Sequence, residues 1–131
     1  MNNQTNKEKM NRLPYHFFIF TRYGRKVFRN TNIQQRFKEI LASICDEFNF
    51  ELIEVKLGDN YAQISLTTTP NWSPEKVLAK IRVRSSNLIR KEFQELNHLP
   101  SLWVRPFLVT NGDHPLDITT ALEWFGIEEQ Q

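Results

Sequence analysis

The hydrophobic pattern of the chain changes period several times, and each change marks an element. Residues His16 to Arg22 (HFFIFTR) are aromatic and β-branched, with Pro14 before them and Tyr23-Gly24-Arg25 after, which predicts a strand. Apolar residues then recur at helical spacing, at Ile33, Phe37, Ile40, Leu41, Ile44, Cys45 and Phe48, behind Asn30, Thr31 or Asn32 as cap. Two alternating runs, Phe50–Leu57 and Asn60–Thr68, flank Gly58-Asp59 and predict a hairpin closed by a two-residue turn. Ser73-Pro74 opens a second helix that runs to about Phe93, with Val77, Leu78, Ile81, Leu88, Ile89 and Phe93 on its apolar side. Leu102–Thr110 reads as a fourth strand, and Leu116–Phe125, capped by Asp113 or Asp117, as a last helix.

The order β-α-β-β-α-β-α is that of an α+β ferredoxin-like sandwich, a four-stranded antiparallel sheet with helices mainly on one face. The first and third strands are expected at its centre. Pro106 puts the fourth strand at an edge, where a missing backbone N–H does no harm. In the third strand Ala62, Ile64 and Leu66 form the apolar row, so Tyr61, Gln63, Ser65 and Thr67 belong to the opposite face. In the first strand both rows are apolar, Phe17-Ile19-Thr21 against His16-Phe18-Phe20-Arg22, and periodicity does not choose between them. Aromatic residues therefore line both faces of a central strand. An open face would make a stacking platform for bases, with Tyr61 or Phe18 in contact. The size of such a patch favours the alternative, a face covered by the third helix or by a second subunit.

Length and composition narrow the class. The 131 residues allow one domain, read as a polar, disordered tail over 1–12 and a folded unit over 13–131. The longest apolar run, Phe17 to Phe20, is far too short for a membrane helix, and Met1–Arg12 has no apolar segment for a secretory signal. A cytoplasmic protein is the expectation. Cys45 is the only cysteine; it excludes an internal disulfide, and on the apolar side of the first helix it reads as a buried thiol rather than a nucleophile.

The net charge of +2 from seventeen basic and fifteen acidic residues looks neutral until it is divided along the chain. Arg22, Arg25, Lys26 and Arg29 fall in a stretch with no acid, and so do Lys76, Lys80, Arg82, Arg84, Arg90 and Lys91. Acids collect in Asp46–Glu54 and from Asp113 onward. The helix cations are spaced as a stripe opposite the apolar side. As a phosphate-binding set the candidates are Arg22, Arg25, Lys26 and Arg29, Lys80, Arg84, Arg90 and Lys91, and Arg105 on the fourth strand. The competing reading is a solvated face paired with Glu75, Glu92 and Glu95. Catalytic chemistry is sparse: His16, His98 and His114 have no metal-ligand spacing and no glycine-rich phosphate loop exists, so no metal or cofactor is expected.

Three segments then point to a family. Tyr15–Phe28 (YHFFIFTRYGRKVF), Thr69–Phe93 (TPNWSPEKVLAKIRVRSSNLIRKEF) and Leu102–Asp113 (LWVRPFLVTNGD) resemble, in order and spacing, the single-tyrosine HUH transposases of the insertion-sequence 200/605 group and their repeat-associated relatives. The resemblance runs from about Tyr15 to Trp124 and implies the same sandwich, a homodimer, and binding of hairpins in single-stranded DNA. It also implies cleavage by a tyrosine on the last helix, aided by a metal on a His-hydrophobic-His triplet of the third strand. Here that triplet falls on Tyr61-Ala62-Gln63, or on Asn60-Tyr61-Ala62 with a shift of one, and holds no histidine. The nucleophile position falls near Ala121, in a helix without tyrosine; the glutamine that follows it falls near Phe125, with Gln130 and Gln131 too far along. Tyr15, Tyr23 and Tyr61 remain as phenols with no metal beside them. The expectation is a degenerate, non-catalytic member that binds structured or single-stranded DNA or RNA as a homodimer. The rival is a protein-interaction module presenting the exposed sheet and the aromatic helix end of Trp103, Trp124 and Phe125.

Overall fold

The computed structural model describes residues 12–126. Along the chain come β1 (Leu13–Thr21), α1 (Thr31–Phe48), β2 (Glu51–Leu57), β3 (Tyr61–Thr68), α2 (Pro74–Glu92), β4 (Trp103–Thr110) and α3 (Ile118–Trp124). The sheet order is β2-β3-β1-β4 with every neighbouring pair antiparallel, which is the ferredoxin-like arrangement with β1 and β3 central. Pro106 lies in edge strand β4, inside the stretch where the register against β1 shifts between Phe107 and Trp103. A residue without an N–H costs least there.

Local chemistry fixes the helix starts. The Asn30 side chain accepts from the amides of Asn32 and Ile33, which selects it among the three candidate caps of α1. Ser73 does the same for Lys76 N–H, with Pro74 at the first helical position of α2. Asn49 ends α1 in the left-handed region at φ 60°, a place asparagine tolerates better than most.

Four boundaries differ from the sequence pattern. The first strand begins at Leu13 rather than His16, because Leu13–Tyr15 pair with Leu66–Thr68. Arg12, placed in the expected tail, is anchored: its guanidinium donates to Thr67 Oγ1 at 2.9 Å and to Asn49 O at 2.7 Å. The rest of that tail, residues 1–11, lies outside the described residues, as do Gln130 and Gln131. The hairpin turn is shifted by one residue: Gly58 stands opposite Tyr61 and donates its N–H to Tyr61 O, so the two-residue loop is Asp59-Asn60 rather than Gly58-Asp59. The last helix starts at Ile118, behind an extended Asp117 whose side chain makes no cap bond.

Two hydrophobic layers share the sheet. Phe17 and Ile19 of β1 and Ala62, Ile64 and Leu66 of β3 face α1 and α2, where Phe37, Leu41, Ile44, Leu78 and Ile81 complete the main core. Phe18 and Phe20 point the other way and are sealed by Ala121 and Leu122 of α3, with Tyr61, Leu108 and Phe125 packed around them. The alternation that periodicity left open in β1 is thus resolved by two covers, and the third helix is the second of them. Among the described residues no helix is long and apolar enough to cross a membrane.

Candidate nucleic-acid interface

The face of the sheet under α3 carries the positions where the family resemblance locates catalysis. Tyr61 and Gln63, two apart on β3, lie on it, and Ala121 sits above it. The Tyr61 ring packs against Phe20, with 6.2 Å between centroids, and rests over Gly58, where a Cβ would come within 2.0 Å of it. Gln63 is 5% exposed, and its Nε2 is buried without a hydrogen-bond partner. Next to it His16 is fixed between Ser65 and Gly112. Nε2–H donates to the Gly112 carbonyl at 2.9 Å, so Nδ1 accepts from the Ser65 hydroxyl at 2.7 Å. Among the described residues no group of three or more His, Cys, Asp or Glu is arranged to hold a metal.

Phe18, a stacking candidate in the sequence, has no face to offer a base. It is 1% exposed, with α3 packed on it. The same cover removes the exposed sheet on which the protein-interaction reading relied; of that reading's aromatics, Trp103 is buried in the main core and Trp124 remains 72% exposed.

The cations divide into three groups instead of one stripe. Helical spacing puts Lys76, Lys80, Arg84 and Lys91 on one side of the exposed arc of α2 and Arg82 and Arg90 on the other. On the first side Arg84 pairs with Glu47 of α1 at 2.7 Å, holding that carboxyl below its usual range, and Arg84 and Lys80 both lie over the Phe48 ring. The loop cations form a second group. Thr21 and Phe28 donate their amides to Asn60 O and Asp59 O, which staples this loop to the hairpin turn. Arg29 there pairs with Asp59 at 3.1 Å, Arg25 meets His98, and Lys26 is exposed.

The third group converges. Arg22, Arg82, Arg90 and Arg105 line a groove of about 400 Å³ between α2 and β4, and no acidic residue lines it with them. The three half-buried guanidiniums are positioned by neutral oxygens. Arg22 donates twice to Ser101 Oγ, at 3.0 and 2.8 Å. Arg90 donates to Ser86, Asn87 and the Leu99 carbonyl. Arg82 donates to the Val104 and Arg105 carbonyls and lies over Phe107, 5.1 Å from its centroid. Burial, and then the neighbouring Arg105 charge, lower the pKa of Arg82. A guanidinium remains ionised regardless, so the groove holds like charges that an anion would relieve. The sequence missed Arg82 as a member because the signal lay in three dimensions: β4 brings Arg105 alongside a helix position that reads as the flank of a stripe.

The family model described as "Transposase IS200 like" matches residues 9–121. A solved structure assigned as a transposase from Deinococcus radiodurans R1 superposes with a TM-score of 0.72 at 21% identity, over 88% of this chain and 88% of that one. The structure of a REP-associated tyrosine transposase bound to a REP hairpin superposes with a TM-score of 0.55 at 13% identity, over 79% of this chain and 58% of that one. At these identities the likeness is one of fold. No curated protein matches the chain.

Proposed function

Because the chain belongs to the IS200-like transposase family, we propose that it is a transposase-derived nucleic-acid-binding protein that has lost strand cleavage and acts as a homodimer. The observation that carries the reading is the groove of Arg22, Arg82, Arg90 and Arg105 with no acid in its lining. Phosphate is the ligand such a site suits: Arg presents a planar fork of donors, and nothing in the groove competes for it. Arg25, Lys26 and Arg29 in the stapled loop, and Lys80, Arg84 and Lys91 along α2, extend the positive surface on either side. A neighbour of the same fold, bound to a hairpin, supports a folded single strand as the ligand class.

The loss of cleavage rests on chemistry at three positions. Tyr61, Gln63 and Ala121 stand where the resemblance expects two imidazoles and a phenol; the methyl group of Ala121 supplies no nucleophile, and a neutral phenol with one carboxamide oxygen is a far weaker ligand pair than two imidazoles. Gln63, on the sheet face that α3 covers, is 5% exposed, and Ala121, on the side of α3 that packs on the sheet, is 0% exposed.

Fluorescence anisotropy with labelled hairpin, single-stranded and duplex oligonucleotides tests binding. The hairpin is expected to bind most tightly, with an Arg82→Glu, Arg105→Glu variant losing that affinity. Weak, equal binding to all three that ignores the variant overturns the reading. Incubation with Mn²⁺ tests inactivity; a covalent protein–DNA adduct on a denaturing gel would show that cleavage survives. Sedimentation at micromolar concentration reads the homodimer directly.

A further inference from the structure

Resting on that nucleic-acid reading, we propose that α2 is a recognition helix seated in the major groove of a B-form DNA stem, with Asn87 and Val83 reading base edges. The exposed arc of α2 carries Val83 and Asn87 between two sets of cations, with Lys76 in line with them toward the N-terminal end of the helix. Lys80 and Arg84 stand on one margin; Arg82, backed by Arg105 and Arg22, stands on the other. A helix with its side chains is about 10–12 Å across, and the B-DNA major groove is about 12 Å wide. Cations on both margins therefore meet phosphates of both strands. Arg84 is held by Glu47, so Lys80 carries the net positive charge of that margin.

The crest between them has the chemistry of base readout. Val83 is 60% exposed in the middle of a helix, an apolar side chain of the kind that meets a thymine methyl. Asn87, exposed one turn on, carries the carboxamide that pairs with N6 and N7 of adenine. Its Oδ1 accepts from Arg90 at 3.1 Å, which orients the amide and leaves Oδ1 a second lone pair.

The same surface selects against the other forms of nucleic acid. A single strand needs rings to stack on, and the rings nearest the crest are capped already, Phe48 by Lys80 and Arg84 and Phe107 by Arg82. The major groove of A-form RNA is too narrow for side chains to read.

The test is a library of DNA hairpins with a randomised eight-base-pair stem, selected separately by the wild-type chain, Asn87→Ala and Val83→Ala, followed by titration of the enriched stem as DNA and as RNA. The wild type is expected to enrich a motif in which one A·T pair is favoured about tenfold over the alternatives. Asn87→Ala should flatten the profile at that pair, Val83→Ala should relax a neighbouring thymine, and the RNA stem should bind at least tenfold more weakly. Profiles identical in all three proteins, or an RNA stem bound as well as DNA, overturn the inference; if binding still needs Arg82 and Arg105, the nucleic-acid reading survives that result. A wild type that retains no library member and no single strand overturns both.

Discussion

The arginine groove makes a prediction about salt that separates charge recognition from any other form of binding. Each phosphate neutralised on a duplex steepens the dependence of log affinity on log salt by about 0.9. If all four guanidiniums of the groove meet phosphates, the groove contributes a slope of about −3.6, or a loss of about 150-fold in affinity between 50 and 200 mM salt. Arg82→Gln with Arg105→Gln removes two of the four charges, so the slope should become shallower by about 1.8, with the groove's share of that loss shrinking to about twelvefold. Glutamine retains donors for the Val104 carbonyl, which keeps β4 against α2. Anisotropy titrations of a labelled hairpin at five salt concentrations give both slopes, and circular dichroism checks the fold. A variant that binds with an unchanged slope refutes the reasoning, because the charges would then face no phosphate.

The buried positions make three further predictions. Phe18→Ala opens a cavity between the sheet and α3 and should cost about 3–5 kcal/mol in urea denaturation, a loss far larger than a stacking residue on an open surface would show. Gln63→Met replaces an amide whose Nε2 is buried without a partner, so stability should hold or rise by about 1 kcal/mol; a marked loss would mean that the amide has a structural partner. Burial pushes the Cys45 thiol up to about 11, so alkylation at pH 8 should be slow in the native protein and fast in urea. The folded pKa is raised, so this contribution to stability is complete below the unfolded value and is lost as pH climbs from about 9 toward 11; Cys45→Ala should lessen the alkaline loss.

The fold was legible because its signals are local. Ser73 with Pro74, and the alternation of Ala62, Ile64 and Leu66, each identify an element from a few neighbouring residues. Three features were not. Phe18 and Phe20 belong to an apolar row as good as that of Phe17 and Ile19, so only α3, a hundred residues later, reveals which cover each row meets. The cations of α2 share a spacing that reads as one stripe, yet the carbonyls of Val104 and Leu99 draw Arg82 and Arg90 toward β4 while Glu47 draws Arg84 toward α1. Arg12 reads as part of a polar tail because its partners, Thr67 and Asn49, are remote in sequence.

The double cover on the sheet also sets the order in which the molecule opens. α3 is seven residues long and buries only Ala121 and Leu122, so its detachment forfeits one thin layer. β1 is hydrogen-bonded on both sides and buried on both faces, and nothing short of disrupting the whole sheet frees it. Amide hydrogens of Ala121 to Phe125 should therefore exchange through a low-energy local opening, while those of Phe17 to Phe20 exchange only with global unfolding. Two walls of one strand thus report on different events, and a residue such as Phe20 can lose its cover many times before it loses its place.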